Sequence, residues 1–122
     1  MSAGVQPGTA ILLGKAERAA QAAAAELERG APELAAGRAF YAVLYAAKAV
    51  LSEHGLRLRT HARIAAALLS VGDADLNLVS HWLSECIARR RSADAGDLTH
   101  DEAAALCVRA EQAVSIAHRA LR

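Results

Sequence analysis

The segment PELAAGRAFYAVLYAAKAVLSEHG, residues 32–55, decides how the rest of the chain is read. Pro32 suits the first turn of a helix, where a missing N–H costs nothing, and Gly55 suits the left-handed residue that closes one. At 100° per residue, Phe40, Leu44, Ala47 and Leu51 fall on one side, whereas Arg38, Tyr41, Tyr45, Lys48 and Ser52 gather on another. One face is apolar and the other is cationic and phenolic. A helix of this kind must bury its first face against partner helices.

The flanking sequence supplies those partners. Thr9 reads as the cap of a helix to about Arg29, with Leu13, Ala16, Ala20, Ala23 and Leu27 on one face and Gly30 ending it. Thr60 caps a short third helix that runs to about Val71 and stops at Gly72. Asp73 or Asp75 opens a fourth, whose stripe is Leu76, Val79, Leu83 and Ile87 and which reaches the arginine run 89–91. Thr99-His100-Asp101-Glu102 is a capping box heading a fifth helix to about Leu121, with Ala103, Leu106, Ala110, Ala113 and Ala117 inward. The loops are short, and neither an internal repeat nor a strand pattern occurs. The expectation is all-α: an antiparallel bundle of about five helices, one domain over residues 1–122.

Composition agrees. About a quarter of the residues are Ala and only 3% are aromatic, which favours closely packed helices over a sheet. A 122-residue chain should expose about 6,000 Å² folded against about 18,000 Å² unfolded, enough burial for a core without staples. Alanine faces bury little area per residue, so dimerisation is expected as a source of further core. The net charge of +1 excludes a global field that would drive the protein onto nucleic acid or membrane; any basic site is local. Cys86 and Cys107 sit in apolar helical patterns and read as buried thiols. No apolar stretch is expected to reach the roughly 18 residues of a membrane span. The start Met1-Ser2-Ala3-Gly4 lacks the features of a secretory signal, which points to the cytoplasm and away from a membrane partner.

Several chemistries have no support. The chain holds no Glu-x-x-His pair, no zinc-type Cys or His spacing and no Gly-rich phosphate loop, so no metal or cofactor is expected. His54 and His118 lie near helix C-termini and His81 beside Trp82, where surface or packing roles suffice. His61 and His100 follow helix caps and are the candidate acid–base groups. The sharper signal is the two tyrosines, one turn apart between two cations, an arrangement that can stack a base or ribose beside a phosphate. The competing reading of that face is a seam between two subunits. In the run Arg89-Arg90-Arg91, successive side chains point about 100° apart, so only one or two can face inward, and Asp94 is near enough in sequence to pair with one.

Residues 37–51 (GRAFYAVLYAAKAVL), then Arg59-Thr60-His61, then residues 90–97 (RSADAGD after Arg90) resemble, in order, the HEPN domain family (higher eukaryotes and prokaryotes nucleotide-binding). The first segment is similar to the family's RAYYAMFHAARALL helix and the last to its R-x-x-x-D-Y-G-D segment. The resemblance implies a helical bundle that dimerises around a polar cleft, which in some members handles RNA or nucleotides. It also implies a neighbouring minimal nucleotidyltransferase that restrains toxin members. Catalytic relatives carry Arg-x4-6-His, which promotes attack of a ribose 2′-hydroxyl on the adjacent phosphate without metal.

Arg90 matches the family arginine and Asp94 the acidic residue, but Ala95 stands where Tyr or the catalytic His is usual. Asp97 stands where some toxins carry a modified tyrosine. The expectation is a non-catalytic or weakly catalytic dimer whose cleft of Arg38, Tyr41, Tyr45, Lys48, Arg90 and Asp94 binds a nucleotide, RNA or a partner protein. The enzymatic alternative is an endoribonuclease toxin in which His61 or His100 replaces the missing histidine. A third reading makes Tyr41 and Tyr45 a subunit zipper with no ligand.

Overall fold

A computed structural model of the chain describes residues 5–94 and 96–121, without the side chains of residues 92–94. Five helices follow one another: α1 (Pro7–Glu28), α2 (Pro32–Glu53), α3 (His61–Val71), α4 (Ala74–Asp94) and α5 (His100–Ala120). No strand occurs among the described residues. The all-α bundle is therefore as the sequence indicates. Its surface of 6747 Å² lies close to the area expected of a chain this size.

α2 is the axis of the structure and touches each of the other four helices. Phe40, Leu44, Ala47 and Leu51 are buried as their spacing requires, joined by Val43, Val50 and a series of alanines. This makes α2 more apolar than the sequence reading allowed. An 18-residue window within it reaches a mean hydropathy of 1.3, so on length and composition it could cross a membrane, contrary to expectation. Two-thirds of that window is buried inside the bundle, as suits a central helix.

α1 runs antiparallel to α2 because only three residues join them, and Gly30, at φ 76°, supplies the left-handed turn. Three contacts fix their register: Gln6 N–H donates to Glu53 Oε1 at 2.7 Å, Lys15 lies over the Tyr45 ring, and Arg18 faces the same groove as Tyr41. Position i of α1 thus meets a position near 60 − i of α2. α5 runs antiparallel to α4, tied by Arg89–Glu102 at 2.5 Å and by Arg109–Glu85.

Most helix ends follow the chemistry read from sequence. Thr60 Oγ1 accepts from Arg63 N–H, and Gly72 closes α3 in the left-handed region. Asp73 Oδ1 accepts from the N–H groups of Asp75 and Leu76, so Asp73 is the cap of α4. The Thr99–Glu102 box is formed in both directions, and its hydrogen bonds from Thr99 hold the Glu102 carboxyl below the usual carboxylate range. Cys86 and Cys107 are free and buried; burial pushes the Cys86 thiol up to about 12, with the neighbouring Glu85 charge adding to it.

The start of α1 differs from expectation. Pro7, with its φ already helical and no N–H to satisfy, takes the first position, and Gln6 is the extended residue before it. Thr9 is therefore not the cap. It lies inside the first turn, fully buried, and its Oγ1 has no hydrogen-bond partner. A buried hydroxyl left unpaired costs roughly 1–3 kcal/mol. Thr9→Val, which keeps the shape and removes the orphan group, is expected to raise stability by about 1 kcal/mol and Tm by about 3–5 °C in a thermal melt.

Candidate functional site

The polar face of α2 is not one surface, because α1 lies along it and the two helices enclose two separate depressions. The first is a groove of about 440 Å³ walled by Arg38, Tyr41 and Tyr45 of α2 and by Lys15 and Arg18 of α1. The tyrosine rings stack on each other, 6.0 Å between centroids and 26° between planes. Lys15 Nζ sits 5.6 Å from the centroid of the Tyr45 ring. The second depression, of about 280 Å³, lies further along the same seam and includes Lys48. Lys48 follows Tyr45 by three residues, roughly 4.5 Å along the helix axis, but opens into the second cavity.

Arg90, from α4, borders the first groove through Tyr41. Its guanidinium carbon lies 4.9 Å from the Phe40 ring centroid and 5.5 Å from that of Tyr41. Stacking on two rings holds a guanidinium in place while leaving its in-plane N–H donors for an anion, and contributes about 0.5–1 kcal/mol at an exposed position. Two of the three consecutive arginines diverge as their spacing requires: Arg89 turns to Glu102 on α5, and Arg90 turns to α2. The side chain of Asp94, and Ala95, lie outside the described residues.

Phe40 is the hinge of the arrangement. Nearly fully buried, it meets Tyr41 edge-on at 5.2 Å and His61 edge-on at 5.2 Å, while Arg90 covers its face. His61 and Arg90 therefore converge on one ring, although 29 positions separate them in the chain. His61 is half-buried at the first position of α3, held there by the Thr60 cap. His100 heads α5, as the capping box dictates. His118 Nε2 lies 3.0 Å from Glu17 Oε1, a link between α5 and α1.

Of the six residues singled out by sequence, Arg38, Tyr41 and Tyr45 thus share one groove, Arg90 borders it through Tyr41, and Lys48 lines the adjoining cavity. Sequence reasoning missed Lys15 and Arg18. Antiparallel pairing across a three-residue loop was the signal for them, since it sets Lys15 opposite Tyr45.

The HEPN domain family model matches residues 9–94, which include every residue of the groove. The chain belongs to the HEPN domain family. No curated protein matches it. The matched segment of this HEPN domain ends with α4; α5 lies beyond it and packs against α2 to complete the core.

Proposed function

We propose that this HEPN domain binds short single-stranded RNA along the α1–α2 groove. The observation that carries the reading is the stacked Tyr41–Tyr45 pair set between Lys15 and Arg90. Aromatic rings accept any base face, and the flanking cations suit the phosphates on either side. Tyr41 is exposed, and Arg18 and Arg38 add charge to the same groove. Each base stacked on such a ring contributes about 1–3 kcal/mol.

Dimerisation is part of the proposal, with a second copy laid over the groove and turning it into a cleft, as the family resemblance implies. Sedimentation of the wild-type protein tests that part. A neighbouring minimal nucleotidyltransferase is the protein partner the same resemblance implies, with the cytoplasm as the place of action; copurification from cells tests the pairing. For the groove itself, the measurement is fluorescence anisotropy with a labelled short RNA at several salt concentrations. Tyr45→Ala is expected to weaken binding roughly fivefold to a hundredfold, and Arg38→Ala to weaken it while flattening the salt dependence. RNA affinity unchanged in both variants overturns the reading.

Cleavage is the second reading, favoured by one observation: His61 and Arg90 both pack on the Phe40 ring. An imidazole can take the 2′-hydroxyl proton as that oxygen attacks phosphorus, a guanidinium can hold the phosphate, and the departing 5′-oxygen takes its proton from the imidazolium or from water. Ala95 leaves the family's usual histidine position empty, so His61 would take that role from another helix. If labelled RNA is cut, His61→Ala is expected to slow cleavage roughly a hundredfold to ten-thousandfold; RNA left intact by the wild type removes this reading and keeps the first.

A further inference from the structure

The cavity beside the groove has its own chemistry. Lys48 from α2 and Arg57 and Arg59 from the α2–α3 loop line it, and no acidic residue does. Among the described residues none of the three cations has an ion-pair partner. Glu53, the acidic residue at the end of α2, accepts instead from Gln6 N–H. The buried Ser52 adds a hydroxyl to the wall, and the remainder is aliphatic, including Leu12, Leu51, Leu58 and Ile64.

Three cations gathered at an apolar depression repel one another and gain most from an anion of more than one charge. Arg57 and Arg59 present planar forks suited to paired oxygens, and Lys48 adds a point charge. An internal phosphodiester carries one negative charge, whereas a phosphate monoester carries close to two near neutral pH, as a phosphorylated side chain does. The aliphatic wall accepts the sugar or base of the nucleotide bearing it. Position along the seam matters as well. In the α1–α2 register, Leu12 and Lys48 form the next pair beyond Lys15 and Tyr45, so a strand lying on the tyrosines reaches this cavity about one helical turn later.

The geometry points to a terminal-phosphate site: the Lys48–Arg57–Arg59 cavity takes the phosphate monoester at one end of the RNA whose bases stack in the groove. This rests on the groove reading and deepens it by naming the kind of strand end preferred. Both a 5′-phosphate and a 3′-phosphate offer the same chemistry, and synthetic RNAs distinguish them.

The test uses the full chain and one short RNA in three forms: hydroxyl at both ends, 5′-monophosphate, and 3′-monophosphate. One phosphorylated form is expected to bind roughly tenfold more tightly than the hydroxyl form, the scale of charge-assisted hydrogen bonds. Arg57→Ala combined with Arg59→Ala, two exposed loop positions, should erase that preference and leave the hydroxyl-ended RNA within about threefold of wild type, because the tyrosine stack is untouched. Tyr45→Ala should weaken all three forms alike. Equal affinity for the three ends, or a preference that survives the double substitution, overturns the inference and leaves the groove standing.

If none of the RNAs binds, the groove reading falls. The cavity is then judged by thermal shift with phenyl phosphate, a monoester on an apolar body. A saturable rise in Tm that the double substitution abolishes supports the cavity as a monoester site; no rise in the wild type overturns it.

Discussion

Phe40→Ala is expected to cost about 3–5 kcal/mol of stability, the largest effect of any single truncation considered for this chain. Phe40 is the chain's one phenylalanine and is 1% exposed. Its ring touches Tyr41, His61 and Arg90, so truncation opens a cavity and removes the surface on which α3 and α4 meet α2. Domains of this size hold only about 5–15 kcal/mol in total, so urea unfolding should show a large fall in midpoint. Phe40→Leu separates packing from ring chemistry. It restores most of the volume and should cost less than about 1.5 kcal/mol, while still removing the platform under Arg90. A Phe40→Ala variant within about 1 kcal/mol of wild type means that the ring is not packed as described.

The second large effect comes from adding atoms. Ala103, Ala110 and Ala113 of α5 have no exposed surface, and the helices of this bundle approach one another through such residues. Interiors are packed at crystal density, so a leucine at one of these positions must displace a neighbouring helix. Ala110→Leu is expected to destabilise the protein by about 1–3 kcal/mol or more. The same change at Ala105, on the exposed side of the same helix, should stay within about 0.5 kcal/mol. Denaturant titration of the pair compares identical chemistry in two environments. Equal effects would refute the close approach of α5 to the core.

The difference between what was legible and what was not follows the range of each interaction. The Thr99–Glu102 box and the Thr60 cap involve residues three apart, so the sequence contains every partner they need. The inward stripe of α5 was equally readable, because period 3.6 requires no knowledge of the neighbours. At the head of α1, Pro7 and Thr9 offered competing starts, and the fixed φ of proline prevailed over the hydroxyl cap. The functional face shows the limit more clearly. A helical wheel places Lys48 with the tyrosines by angle, yet only the packing of α1 divides that face into two depressions. Phe40 was read as core and is core, but its service as the platform for Arg90 and His61 depends on contacts far apart in sequence.

A formal charge of +1 conceals an uneven pairing of individual cations. On the α4–α5 side, Arg89, Arg109 and Arg119 are each matched by a carboxylate. Along the α1–α2 seam, Lys15, Arg18, Arg38 and Lys48 have no acidic partner among the described residues. If RNA binds along this seam as proposed, its capture rate should fall as salt shortens the reach of these charges to about 8 Å at physiological ionic strength.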